Sequence, residues 1–306
     1  MPRAPHPLPA RLHDSGFTVA EARAHGLTPA RLRASDLAAP AWGIRHTVDA
    51  ARTPDVRAQL LARRHPGSFL SHGTAAAFWR LQVEPPRDRG LVHLGVGSEL
   101  PRPRGAGVRG HRLDVRPEEL HHDGPIAVTS PARTWLDLAS TGLNVEDLIV
   151  AADRILCVRR PLAAVHELER MLLRHPGARG IRLLRSALPE AVEAADSSRE
   201  TRLRVRLVNA GLPRPTPGFA VLDEAGSTVA VADLAFPDYR VLIEYEGAHH
   251  LIDGRQWAHD LDRFNRYQEL GWLSLRIGAR QFAALPATVA LIERTLRGRG
   301  WRPAGP

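Results

Sequence analysis

Three apolar runs separated by two short turns, close to the C-terminal end, constrain this chain more than any other feature. Gly218-Phe-Ala-Val-Leu222 leads into the turn Asp223-Glu-Ala-Gly226. Val229-Ala-Val-Ala-Asp-Leu-Ala-Phe236 then leads into Pro237-Asp-Tyr-Arg240, and Val241-Leu-Ile-Glu-Tyr-Glu-Gly247 follows. Connections this short make antiparallel pairing of neighbouring strands the natural outcome. A helix opens at Ser197-Ser-Arg-Glu200 and is stopped by Gly211-Leu-Pro213; a second runs from about Gln256 to Leu270 and ends at Gly271. Trp272-Leu-Ser-Leu-Arg-Ile277 reads as a last strand, and a final helix is expected near Pro286–Arg297. The order helix, three strands, helix, strand, helix predicts an α/β (α+β) domain, a mixed sheet flanked by helices, over 196–306.

The chemistry of this segment lies in its acids. Glu244 and Glu246 are two apart on a strand, so both side chains leave the same face. Asp233 is on the preceding strand. The apolar Val241-Leu-Ile243 marks a central, buried strand, and acids at its end are costly unless a cation pairs them. Converging carboxylates are the hard oxygen donors that Mg²⁺ or Mn²⁺ takes, and such an ion activates water and stabilises charge on a scissile phosphate. Glu200, three residues after Ser197, fits a capping box as well as a site. Asp260, Arg263 and Tyr267 fall on one helix face, for which solvent is the default and phosphate contact by Arg263 the sharper option.

Asp233, the stretch Glu244-Tyr-Glu-Gly-Ala-His-His250, Asp260-Leu-Asp-Arg263 and Leu270-Gly-Trp272 together resemble the PD-(D/E)XK nuclease superfamily, and more narrowly the very-short-patch-repair-like endonuclease domain. The resemblance covers about 196–285 and implies a restriction-endonuclease-like fold. It maps the family's leading-helix Glu, strand Asp and Glu-x-Asp-Gly-x-x-His stretch onto Glu200, Asp233, Glu244, Glu246, Gly247 and His250. Asp233, Glu244 and Glu246 then become metal ligands, and His250 helps position or deprotonate the attacking water. Two departures stand out. The superfamily's lysine is absent, with Glu246 in its place, and Glu246 also replaces the aspartate more usual in the narrower family.

Upstream, Thr18 can cap a first helix that Gly26 ends, and Thr28-Pro29 opens a second. Ala22, Gly26 and Leu32 match helix-turn-helix spacing, with Gly43–Thr47 as a wing strand over a domain of residues 1–50. Arg31 and Arg33 would then meet a groove or phosphates. Residues 51–143 read as an α/β region: a helix from Ser71, strands at Gly90–Val96 and Gly110–Val115, and a helix started by Ser130-Pro131. Residues 144–195 read as a helical connector. The motifs Ser71-His-Gly-Thr-Ala-Ala-Ala and Val128-Thr-Ser-Pro-Ala-Arg-Thr-Trp-Leu-Asp-Leu138 resemble abortive-infection antitoxins of type IV toxin–antitoxin systems over roughly 12–140. That resemblance implies a winged helix-turn-helix repressor, with a cognate toxin or a second copy of the chain as protein partner.

Charge supports a nucleic-acid partner. All 42 basic residues are arginine; 27 stand against 20 acids in 1–195, and 15 against 13 in 196–306, so the excess lies upstream. Drift toward arginine in a GC-rich genome is the default explanation of the composition, and the position of the charge says more than its size. A single cysteine, Cys157, excludes a disulfide framework and a multi-cysteine zinc site, and no zinc is expected. Cys157 itself reads as a small core residue. His72, His93, His111, His121 and His122 show no metal-ligand spacing. Apolar stretches such as Leu148–Ala152 fall far short of the roughly 18 residues of a membrane span, and no signal peptide is visible, so a cytoplasmic protein without a membrane partner is expected. Three functions follow: a metal-dependent DNA endonuclease, a non-enzymatic antitoxin-like regulator with an inactive nuclease-like domain, or cleavage of RNA by the same metal chemistry.

Overall fold

Eleven α-helices and three sheets, an α+β architecture, occupy the described residues of the computed structural model: 5–9, 12, 16–39, 42–47, 54–83, 90–123, 126–246 and 254–303, with backbone alone at 54–55 and 254–261. In chain order the first half holds β1 (Phe17–Thr18), α1 (Val19–Ala24), β2 (Leu37–Ala38), β3 (Ile44–Thr47), α2 (Pro54–Arg64), β4 (Phe69–Leu70), α3 (His72–Phe78), β5 (Val92–Val96), β6 (Val108–Arg112), β7 (Leu120–Asp123), β8 (Ile126–Thr129) and α4 (Pro131–Leu138). Then come α5 (Val145–Leu156), α6 (Val165–Arg174), α7 (Ile181–Ala187), α8 (Ser198–Asn209), β9 (Thr216–Leu222), β10 (Thr228–Phe236), β11 (Val241–Glu246), α9 (Gly254–Glu269), β12 (Leu273–Gly278), α10 (Ala279–Ala283) and α11 (Leu285–Gly298). No helix among the described residues is long and apolar enough to cross a membrane. The chain divides into two units, Met1–Asn144 with Val165–Arg185, and Val145–Ala164 with Ser186–Pro306.

In the first unit, Thr18 caps α1 as its sequence requires. Its hydroxyl accepts the Glu21 amide at 3.1 Å while the Glu21 carboxylate accepts the Thr18 amide at 2.7 Å. The expected second helix shrinks to a single 3-10 turn, Arg31–Arg33. Thr28 does accept the Arg31 amide, but Ala34 is already extended, and Arg31 folds back onto Asp36 through two bonds of 2.8 and 2.7 Å. The chain then enters a three-stranded antiparallel sheet of order β1-β3-β2, with Gly43–Thr47 supplying the middle strand. A five-stranded mixed sheet of order β6-β5-β4-β8-β7 follows. Leu60, Leu61, Leu70, Leu94 and Val128 form the core against it.

Ser130 caps α4, and three residues on Arg133 is buried between Glu119 and Asp137, with His175 bonded to the far oxygen of Glu119 at 2.9 Å. One guanidinium cannot neutralise two buried carboxylates fully. Burial works against the Glu119 charge, but bonds from His175 and Arg133 outweigh it and hold that carboxyl below the ordinary range. Asp137 takes the other outcome: burial, with the Glu119 charge adding to it, pushes it up to about 6.

The second unit is built on a four-stranded sheet of order β12-β11-β10-β9. Its three strands β9, β10 and β11 pair antiparallel, while β12 runs parallel to β11 after the α9 crossover. The strand alternation assigns its faces. Leu234, Phe236, Val241, Ile243 and Ile277 pack with Leu203 and Leu207 of α8 and Ile292 and Leu296 of α11. Ala235 and Leu242 point the other way, toward Tyr267 of α9. Each fully buried Leu or Ile contributes about 1.5–3 kcal/mol, so the two layers hold the sheet firmly. α8 is fixed to α5 by a buried pair, Arg204 to Asp153 at 2.9 Å, with the Thr201 hydroxyl and the Val192 amide also donating to Asp153.

Candidate active site

The register of the sheet places two of the predicted acids, Asp233 and Glu244, opposite each other. Leu234 pairs with Ile243 as the last bonded rung between β10 and β11, so Asp233 and Glu244 face each other one residue further on. The backbone ladder gives way there to a side-chain bond, the Tyr245 amide donating to Asp233 Oδ2 at 2.6 Å. Glu244 is 7% exposed, and its Oε1 accepts the Tyr267 hydroxyl at 2.8 Å. Burial raises the carboxyl pKa of both residues, against the pull of Arg263 on α9. Glu200 at the start of α8 joins this field: burial first, then the Asp233 charge, pushes it up to about 7. Asp196 adds a further negative charge beside Asp233, and Arg159, paired with Asp196 at 3.1 Å, offsets part of it.

Glu244 and Glu200 are buried and Asp233 partly buried, so the acids form an under-compensated patch of oxygen donors. Carboxylate oxygens are the donor type that hard divalent cations take. Each carboxylate also has work inside the fold. Glu200 accepts the Ser197 hydroxyl at 2.7 Å and the Asp196 amide at 3.1 Å, which is capping chemistry. Glu246 lies at the strand end, half-exposed, and pairs with Arg276 at 2.9 Å. Among the described residues, the acids are not drawn in to the 4.8 Å spacing that marks a ready three-ligand group. His250 and His249 lie outside the described residues, as does the side chain of Asp260.

Helical periodicity misjudges one surface. It puts the α9 face bearing Arg263 and Tyr267 in solvent, yet Tyr267 is fully buried against the acids and Arg263 is partly buried within reach of both. The deciding factor is tertiary: α9 crosses from β11 to a parallel neighbour, and this face must cover the side of the sheet that carries Asp233 and Glu244. In the first unit, Arg31 is held by Asp36 and the His6 carbonyl, whereas Arg33 is exposed.

No protein-family model matches the chain. Two uncharacterized proteins of Mycobacterium tuberculosis, from strains CDC 1551 and H37Rv, are each 29% identical to it over 230 residues, covering 74% of this chain and 80% of theirs. A match of that length is longer than either structural unit, so the similarity draws on both.

Proposed function

We propose that the second unit is a metal-dependent endonuclease domain of restriction-endonuclease-like fold, hydrolysing phosphodiester bonds in DNA. The first unit, through its excess arginine, supplies DNA affinity. The observation that carries this reading is the placement of buried Glu244 beside partly buried Asp233 on adjacent central strands, with the charge of Arg263 acting on both. Asp233 and Glu244 hold the cation, and Glu246 completes or assists the set. When bound, the cation supplies Lewis acidity toward water and phosphate.

The remaining roles belong to the chain. The Tyr267 hydroxyl fixes the Glu244 carboxylate in one orientation, and the Tyr245 amide does the same for Asp233. Arg263 offers its guanidinium to a phosphate oxygen. Glu200, held near neutrality, provides a carboxyl that can carry a proton at the edge of the site, and His250 orients or deprotonates water. The location this implies is cytoplasmic.

A non-enzymatic regulator is the second reading. The observation favouring it is that Glu200, Glu244 and Glu246 all bond to neighbours in the fold. Wild type and Asp233→Ala, assayed on supercoiled plasmid, single-stranded DNA and RNA with Mg²⁺, Mn²⁺ or EDTA, separate the two. Metal-dependent DNA cutting that falls at least a hundredfold in the variant, on the order expected for losing a charge-stabilising group, supports the nuclease. Salt-sensitive DNA binding without cutting of any substrate supports the regulator.

A further inference from the structure

Three histidines scattered through the sequence meet in the first unit. His72 opens α3, His93 lies on β5 and His111 on β6, and their ligand nitrogens all fall within 4.8 Å of one another. β5 and β6 run parallel with Gly95 opposite His111, which sets His93 and His111 on the same face of the sheet. The His111 ring stacks on His72 at 3.7 Å between centroids, and its Nε2 is 3.0 Å from His93 Nδ1. His72 and His93 are 3% and 2% exposed.

The framework around the rings is rigid. The Ser71 amide donates to the His93 carbonyl, and the His93 amide donates to the Thr74 hydroxyl at 2.8 Å, stitching the start of α3 to β5. Ser71 Oγ is also 3.0 Å from His72 Nδ1, the kind of outer bond that fixes the tautomer of a ligating ring. His72 holds a left-handed backbone at φ +47, uncommon outside glycine though less so for histidine than for most residues. Such outliers cluster where the surrounding structure needs a side chain aimed in one direction.

We propose that His72, His93 and His111 form a binding site for a late first-row divalent metal of the zinc class. Imidazole nitrogens without a carboxylate select Zn²⁺, Co²⁺ or Ni²⁺ over Mg²⁺. Three protein nitrogens leave a fourth tetrahedral position. With Arg109 and Arg102 adding positive charge near His111, that position suits an anion such as hydroxide or phosphate. The site is independent of the proposed nuclease acids, which belong to the other unit.

The full chain, stripped by chelator, is titrated with Co²⁺ and followed by visible absorption. One equivalent giving the intense bands of a four-coordinate ion, displaced by one equivalent of Zn²⁺, is the expected result. His111→Gln, checked for folding by circular dichroism, should weaken Co²⁺ binding at least tenfold, while Asp233→Ala leaves it unchanged. X-ray absorption of the zinc-loaded wild type should show three imidazole nitrogens at about 2.0–2.1 Å, a readout that does not depend on any variant folding. A folded wild type without four-coordinate Co²⁺, a zinc shell lacking three imidazoles, or full binding in folded His111→Gln overturns the proposal and leaves the rings as a stacked, hydrogen-bonded core.

Discussion

In the first unit three imidazoles meet between α3 and one face of the sheet, on β5 and the edge strand β6, whereas in the second unit carboxylates meet where β10 and β11 cease to pair. The difference follows from the cost of burying each group. A neutral ring gives up little on leaving water, so strands can carry it in their middle. A carboxylate gives up a great deal, so Asp233 and Glu244 sit where amide, hydroxyl and guanidinium donors reach them. On the two proposals made above, the clusters would divide cation chemistry between them, nitrogen donors for a borderline ion and oxygen donors for a hard one.

The comparison can be pressed by substitution. The largest effect is expected from Arg204→Ala, which strands Asp153 without its buried partner and should cost about 3–5 kcal/mol. Denaturant unfolding should show that loss in the second unit alone; an equal loss in both transitions would mean the units do not unfold separately. Asp137 tests the same electrostatics in the first unit. The folded state holds its proton up to about pH 6 and the unfolded chain only to 3.8, so the stability this group contributes is present below 3.8 and lost as pH rises through 6. A difference of that size in proton affinity between the folded and unfolded chain is worth up to about 3 kcal/mol. Asp137→Asn should flatten that slope, measured by thermal unfolding across the window; a slope unchanged by the substitution would refute the assignment.

Smaller effects sharpen the acid site. Tyr267→Phe removes the hydroxyl that orients Glu244 and should lower metal-dependent cutting about 10- to 100-fold. Unaltered rates would mean the bond is structural only. The smallest shift is expected for Glu246→Ala, whose half-exposed pair with Arg276 is worth no more than about 1 kcal/mol. If cutting falls while stability stays within that limit, Glu246 assists the site.

The local elements were largely legible because their signals are local. Thr18, Ser130 and Ser197 announce helix starts, and the short turns after Leu222 and Phe236 force antiparallel pairing. The meeting of Asp233 with Glu244 could be read for the same reason: one turn fixes the register between them. The helix expected after Thr28 failed because capping by Thr28 does not decide length; the Arg31–Asp36 bonds end the turn first. Tyr267 and the three histidines were not legible, since what unites them is a crossover helix and parallel strand pairing, neither of which leaves a spacing in the chain.

The central claim is that Asp233 and Glu244 form a site for a hard divalent cation, and a Mn²⁺ titration followed by electron paramagnetic resonance tests it without requiring the right DNA. Wild type should bind Mn²⁺, and Asp233→Asn, which keeps the shape of the side chain, should weaken binding at least tenfold while the fold persists. Equal Mn²⁺ affinity in the two proteins would contradict the account.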